Sequence, residues 1–360
     1  MIENSMTPFF VSWRRVVLDN RIILDGVVLE GHRAGSPDLD LALRRWPGVH
    51  YWPPSPDGRR LVLVREGVPQ RERWWLHGLL LAAAVLTMST AGAEWLPLGR
   101  SRDALHGVLR GLSFSLPLAA VLVAHEAGHY FTARRYRVDA SPPYFLPFPA
   151  SLSIIGTLGA FIRLRSPIFD RRTLFDIGVA GPLAGVAVAV PALALGLSLS
   201  EIVPNATPLP LAHQFVVAGS QQLFVGDSLL LGLLRLWIRP EGVLHLHPLA
   251  VAGWVGLLVT MLNLLPLAQF DGGHVIFALL GRRQVWVARA TWIVLIVLGW
   301  VYWPGWWVSA LLALAVGRGR LAHPRVIDAA AGLDRRRRLV GWLVIALLVL
   351  CFMPAPVSVR

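Results

Sequence analysis

The sequence predicts an all-α polytopic membrane protein of about six to seven transmembrane helices, with a membrane-associated β-hairpin and a small N-terminal α+β domain. Of its 360 residues, 55% are hydrophobic and 15% are charged, whereas a soluble chain carries about 25% charged residues. The mean hydropathy is +0.57. All 34 basic residues are arginines, and they concentrate in alternate loops between apolar runs. These features exclude a soluble globule, a disordered chain and a coiled coil, and the single cysteine excludes an intramolecular disulfide.

Residues 1–73 are polar enough to form a small cytoplasmic domain. Charged residues interrupt the first 20 positions, so we expect no signal peptide there. Short β-like runs alternate with one helical segment, which is typical of an α+β module. The β-like runs lie at 16–18, 22–24, 27–29 and 61–64, and the helix is expected over 40–46.

Residues 74–320 are predicted to form the membrane core, and residues 321–360 an arginine-rich loop followed by a C-terminal transmembrane helix. The apolar runs are 75–95, 108–130, 175–199, 247–267, 286–303, 306–316 and 339–352. A β-like, glycine-containing segment at 155–164 separates the second and third runs, and an interfacial helix is expected over 228–237.

Arginine-rich loops lie at 134–172, 282–283 and 318–338. Because cytoplasmic loops carry an excess of arginine and lysine, this pattern predicts a cytoplasmic N-terminus, and seven crossings then place the C-terminus outside. The net charge of +13 is explained by this bias, so we expect no nucleic-acid partner.

The second apolar run ends in His125-Glu126-Ala-Gly-His129, an HExxH pattern. On a helix, positions i and i+4 share one face, so both imidazoles can bind one Zn²⁺ while Glu126 takes a proton from water. Ionisable groups inside a membrane cost about 2.5–3.5 kcal/mol each, which favours a functional role. The alternative is that these side chains extend to the membrane interface.

A third metal ligand is expected from another membrane segment, and Asp271 is the candidate. It is predicted to end the fourth run, on the same side as His125 and His129. Pro266 breaks the helix, and the glycines at 272 and 273 permit a tight turn. The alternative for Asp271 is an ordinary helix cap.

The HExxH pattern and the later Asn263-Leu-Leu-Pro-Leu-Ala-Gln-Phe-Asp271-Gly pattern together resemble the site-2 protease family (peptidase M50) of intramembrane zinc metalloproteases. Segments 154–162, 175–185 and 247–254 are similar to its bacterial and plastid branch, which has a small N-terminal domain. The resemblance covers about residues 20–320. It implies one Zn²⁺ per chain on His125, His129 and Asp271, with Glu126 as the general base.

The resemblance also implies that the segment 156–159, with Gly156 and Gly159, belongs to a membrane-associated hairpin beside the site. A helical substrate must unwind before hydrolysis, and an exposed strand edge can hold the unwound segment by β-addition. Asn263 either steadies the substrate and the developing oxyanion or makes a hydrogen bond between helices. Gly181 and Gly185 have the spacing of a close helix contact.

Three other histidines are weaker candidates for a metal or supporting role. His245 and His247 form a second possible metal pattern, and His274 is close enough in sequence to support Asp271. The remaining histidines have no partner at a recognisable spacing: His32, His50, His77, His106, His213 and His323.

The resemblance implies an intramembrane endopeptidase in the membrane of a bacterial cell, with its site toward the cytoplasm. Its substrates would be membrane proteins with a transmembrane helix. The alternatives are a proteolytically inactive adaptor or chaperone that binds transmembrane helices, and an ion-coupled transporter. The oligomeric state is left open.

Overall fold

The protein is mostly helical and contains three small β-sheets. The computed structural model describes residues 6–18, 21–53, 55–65, 72–94, 104–153, 155–165, 168, 170–203, 209, 212–218, 221–238, 242–324, 326 and 332–359. Residue 95 of the first predicted span and residue 154 of the segment 154–162 lie outside these ranges.

The N-terminal domain is an antiparallel four-stranded sheet covered by one helix. Its elements are β1 (Phe10–Leu18), β2 (Arg21–Val28), α1 (Pro37–Arg44), β3 (Gly48–Tyr51) and β4 (Arg60–Arg65). The strand order is β1-β2-β4-β3. Leu39 and Leu43 of α1 are buried against Leu24 and Leu61 of the sheet, which makes a separate small core. The α+β architecture predicted for this region is therefore present.

Nine further α-helices follow within the described residues. They are α2 (Trp74–Glu94), α3 (Ala104–Arg135), α4 (Arg171–Ser198), α5 (Leu229–Ile238), α6 (Pro248–Asn263), α7 (Asp271–Leu280), α8 (Gln284–Val301), α9 (Gly305–Val316) and α10 (Arg335–Cys351). Four helical stretches are long and apolar enough to cross a membrane, at 74–93, 105–135, 171–198 and 271–301. A mostly helical membrane fold is thus confirmed, whereas the count of about six to seven transmembrane helices stays a prediction.

The helix of the fourth apolar run ends before Pro266, as the sequence predicted, but Asp271 does not end this run, and that part of the prediction is wrong. α6 ends at Asn263, and Asp271 is the first residue of α7. Pro266 cannot continue a helix, and the chain between the two helices turns back, with Ala268 at a positive φ of 41°. Asp271 therefore lies just beyond a break in the helix rather than at the end of a span.

The predicted β-like segment forms a hairpin of β5 (Tyr144–Pro147) and β6 (Thr157–Phe161). It packs beside α2 and α3. Just after β6, the guanidinium of Arg165 forms a two-pronged ion pair with Glu72, which lies two residues before α2. The hairpin is thus tied to the start of the first membrane helix.

A five-stranded sheet lies beyond the C-terminal end of α4, where no sheet was predicted. Its strands are β7 (Glu201–Val203), β8 (Gln214–Ala218), β9 (Gln221–Val225), β10 (Val243–His245) and β11 (Val357–Val359), in the order β11-β9-β8-β10-β7. Helix α5 matches the interfacial helix expected over 228–237.

Helices α3, α4 and α6 pack against one another and form the centre of the membrane core. Small residues permit this close packing. A Cβ at Gly128 of α3 would meet the carbonyl oxygen of Ala180 at 2.4 Å, and one at Gly253 of α6 would meet the backbone of Leu193 at 2.5 Å. The functional candidates lie where these three helices meet the start of α7.

Candidate metal centre

Helix α3 brings His125, Glu126 and His129 into the protein interior. The helix has 32 residues, so it is about 48 Å long and exceeds the thickness of a bilayer core. The three side chains lie in its last third and are buried, with exposed fractions of 3%, 6% and 7%. The i, i+4 spacing places the two imidazole rings 4.8 Å apart, centroid to centroid.

Asp271, at the start of α7, completes a group of three donors. Its Oδ2 lies 3.2 Å from Nε2 of His125 and 3.3 Å from Nε2 of His129. The two Nε2 atoms are 3.1 Å apart. A tetrahedral zinc ion with ligands at about 2.0–2.1 Å keeps neighbouring ligand atoms about 3.3 Å apart. The three atoms therefore have the spacing of one face of such a tetrahedron.

The backbone fixes which nitrogen of His129 faces this group. Nδ1 of His129 lies 2.8 Å from the carbonyl oxygen of Ile177 on α4. A carbonyl only accepts hydrogen bonds, so Nδ1 carries the proton and donates it, which leaves Nε2 with a free lone pair. This is the arrangement typical of metal-ligating histidines, whose second nitrogen donates to a carbonyl or carboxylate.

Gly181 and Gly185 of α4 make room for the two imidazoles. A Cβ at Gly181 would lie 2.1 Å from Nε2 of His129, and one at Gly185 would lie 3.2 Å from Nδ1 of His125. The spacing of the two glycines predicted only a close helix contact. The sequence did carry one signal for a further role: Gly181 and Gly185 on α4 have the same four-residue spacing as His125 and His129 on α3.

A cavity of about 250 Å³ adjoins His125, one of the three donors. Glu126 and His125 lie at its wall, and Thr157 to Ala160 of β6 form another side. The remaining walls are mostly apolar side chains from α3, α6 and α9. The backbone amide of Ile162, just after β6, faces the carboxylate of Glu126. A carboxylate, one candidate metal ligand and a short strand thus lie on the walls of the same cavity.

Of the three predicted substrate-contacting residues, Asn263 and Gly159 line this cavity. Nδ2 of Asn263 lies 3.3 Å from Nε2 of His125. Gly156 instead packs against α2, because a Cβ there would lie 2.3 Å from the carbonyl oxygen of Thr87. The structure therefore brings two of the three to the cavity wall, and their roles remain predictions.

Two of the other candidate histidine positions have structural partners. Nδ1 of His274 lies 2.7 Å from Nε2 of His323, a contact that no sequence pattern predicted. Nδ1 of His247 accepts a hydrogen bond from the backbone N–H of Leu249 and caps α6. Among the residues that the structure describes, His125, His129 and Asp271 are the one group with three suitable ligands close together.

This arrangement has the parts needed for metal-assisted hydrolysis. Three protein ligands leave a fourth position of a tetrahedral ion open for water or substrate. Glu126 supplies a carboxylate in the same space, and the cavity supplies room for a bound chain.

Comparison with known proteins agrees with this geometry. The model of Peptidase family M50 matches residues 113–301. The chain is 37% identical over 180 residues to "Probable zinc metalloprotease EGY1, chloroplastic" of Arabidopsis thaliana, covering 48% of this chain and 31% of that protein. It is 36% identical over 177 residues to the protein of the same name from Oryza sativa subsp. japonica, covering 47% and 28%.

A third relative is "Probable zinc metalloprotease EGY2, chloroplastic" of Oryza sativa subsp. indica, 32% identical over 189 residues, covering 50% of this chain and 31% of that protein. The chain spans less than a third of the length of these curated relatives. No solved structure matches it. The family match covers more than half of the 360 residues and includes His125, His129 and Asp271. The chain therefore belongs to peptidase family M50.

Proposed function

We propose that this protein is a zinc-dependent intramembrane endopeptidase that cleaves transmembrane segments of membrane proteins. The observation that carries the proposal is the set of separations of 3.1–3.3 Å among the donor atoms of His125, His129 and Asp271. Membership in family M50 supports a protease role.

The donor set suits zinc. Two neutral imidazoles and one carboxylate are a common ligand set of catalytic zinc sites, and the spacing fits tetrahedral coordination. When bound, the ion would supply Lewis-acid activation of water and of the scissile carbonyl. The hydrogen bond from His129 to the Ile177 carbonyl holds one ligand ring in its binding orientation.

Glu126 has the role of general base. It accepts a proton from the attacking water and passes it to the leaving amide nitrogen, so that one side chain serves both halves of the reaction. Its position at the cavity wall and beside both histidines supports this role. Asn263, on the same wall, steadies the substrate carbonyl as negative charge develops on its oxygen.

Strand β6 provides a way to hold the substrate. A transmembrane helix hides its own amides, so the segment to be cleaved must unwind and become extended. Within the described residues β6 pairs only with β5, and its residues from Thr157 to Ala160 face the cavity. An extended segment that pairs with this strand lies beside Glu126, with Gly159 permitting close approach of the two backbones.

The arrangement in the membrane follows from charge and hydropathy. We propose seven crossings, by α2, α3, α4, α6, α7 together with α8, α9, and α10. The excess of arginine supports a cytoplasmic location for the N-terminal domain (1–73) and for the donor end of α3. The membrane core (74–320) carries the site, and residues 321–360 add the last helix. A bacterial plasma membrane suits this orientation.

Metal content tests the proposal. Detergent-purified wild-type protein should contain one zinc per chain, and both His125→Ala and Asp271→Ala should lose it. His213→Ala is the matched control, because His213 is half exposed and pairs with Asp227 beside the five-stranded sheet. Absence of zinc from folded wild-type protein, or retention by Asp271→Ala, would refute the site and favour the adaptor.

A further inference from the structure

The C-terminal helix α10 lies against α4, which carries the Ile177 carbonyl that supports His129, and against α7, which begins with Asp271. It lies outside the 113–301 segment that matches the family. One face of α10 is buried or half-buried, at Arg337, Gly341, Val344, Leu348 and Cys351. This spacing of three and four residues forms a continuous stripe along one side of the helix.

The stripe packs across the seam between α4 and α7. Val344 is buried in a cluster with Phe175 of α4 and Val275 of α7. A Cβ at Gly341 would lie 3.0 Å from both Phe175 and Leu279 of α7, so α10 approaches both helices closely at this point. Helix α10 thus contacts both α4 and α7, which also pack directly against each other.

At the start of α10, Arg337 binds Asp176 of α4. Nε of Arg337 donates to Oδ1 of Asp176 at 2.9 Å, and Nη2 donates to Oδ2 at 2.7 Å. The hydroxyl of Tyr136, just after α3, donates to the same carboxylate. Asp334 caps α10 by accepting from the backbone N–H of Arg337 and also pairs with its side chain. One carboxylate therefore joins three helices.

This network adjoins the support of a metal ligand. Asp176 directly precedes Ile177, and the carbonyl of Ile177 accepts the hydrogen bond from Nδ1 of His129. On its other side, α10 packs on α7, whose first residue is Asp271. Helix α10 therefore contacts the elements that set the separation between the His129 and Asp271 donor atoms.

We propose that Arg337 is a positioning residue for the metal centre, and that α10 acts as a brace that keeps the donors of α3 and α7 at binding distance. The inference rests on the ligand roles proposed above. The inference assigns to Arg337, one of the four arginines at 335–338, a function other than fixing orientation in the membrane.

The test is the affinity for zinc, measured on full-length detergent-solubilised protein by competition with a chromophoric chelator. Arg337→Leu should weaken zinc binding by about 10- to 100-fold, the range found when outer supports of metal ligands are removed. Arg336→Leu is the matched control, because it removes the same charge from an exposed neighbour, and it should stay within about twofold of wild type. Arg337→Lys keeps the charge but not the two-pronged geometry and should fall between them.

A second measurement separates positioning from general stability. The visible spectrum of the Co²⁺-substituted protein reports ligand geometry, and it should change in Arg337→Leu and in the isosteric Asp176→Asn but not in Arg336→Leu. Unchanged affinity and spectrum in folded Arg337→Leu and Asp176→Asn would overturn the proposal. Failure of the wild type to bind zinc would instead refute the proposed function, so the two failures are distinguishable.

Discussion

Replacing Gly181 by alanine should weaken metal binding while leaving the fold intact. The new Cβ would lie 2.1 Å from Nε2 of His129 and 2.4–2.5 Å from the adjacent ring carbons. These atoms are the far end of a side chain, so the imidazole can rotate away while the helices stay in place. Relief of the clash requires a movement of more than about 1 Å, whereas metal ligands tolerate about 0.2 Å.

The size of the expected loss in zinc affinity is set by the free-energy cost of overpacking. Inserting a methyl group into a packed interior costs about 1–3 kcal/mol. If rotation of the His129 ring releases that strain, retaining the ring as a ligand requires the same energy. Zinc affinity should then fall by about 5- to 150-fold, since each 1.4 kcal/mol is a factor of ten. Rotation also gives up the hydrogen bond to Ile177, worth about 1 kcal/mol, so the fall in zinc affinity should lie in the lower part of this range.

The assay combines zinc affinity with thermal unfolding of the metal-free protein. Gly78→Ala on α2 is the control, since a Cβ there meets nothing within 4 Å, and it should bind zinc as the wild type does. Gly185→Ala, with its Cβ 3.2 Å from His125, should show a smaller loss than Gly181→Ala. An affinity of Gly181→Ala for zinc close to that of the wild type would refute this account of the glycine.

Three further substitutions separate binding from turnover. Glu126→Gln should keep zinc but lower the rate of cleavage of a single-span substrate by about 10²–10⁴-fold, because the proton acceptor is lost. A cleavage rate equal to that of the wild type would exclude Glu126 as the base. Asn263→Ala should lower kcat by about 10²-fold or more with zinc content unchanged, if its amide stabilises the oxyanion; a change in stability alone would indicate a helix contact. Thr157→Val removes the hydroxyl that donates to the Leu146 carbonyl at 2.8 Å and accepts from the Gly159 N–H at 3.0 Å. It should raise KM for cleavage while leaving zinc affinity unchanged, and an unaltered KM would exclude a role for the hairpin in binding.

Most membrane helices and the hairpin could be predicted from the sequence, because runs of apolar residues and their interruptions are local signals. The helix break before Asp271 was also visible in Pro266. The start of a new helix at Asp271 was not visible, because hydropathy does not distinguish a turn from the first residues of another helix. The five-stranded sheet was missed for another reason. Its strands are three to five residues long, and β11 pairs with β9 from a distant part of the chain.

The candidate metal ligands could be identified from the sequence because their spacing carries the chemistry, but the residues that support them could not. The role of Gly181 depends on which residue of α3 faces it, and that register is set by packing of the whole helices. Asp176 and its partner Arg337 lie 161 positions apart in sequence. The carbonyl of Ile177 has no sequence signature, since every residue carries one.

The pair of Arg165 and Glu72 bears on where a minimal fragment of this protein should start. Hydropathy alone suggests a cut at residue 74, which would delete Glu72 and leave Arg165, only 8% exposed, without its anion. Loss of one partner from a buried pair costs about 3–5 kcal/mol, and here the loosened end would be the strand beside Glu126. A shortened chain should therefore keep Glu72, because the N-terminal limit of the catalytic unit is set by an electrostatic contact rather than by the first apolar residue.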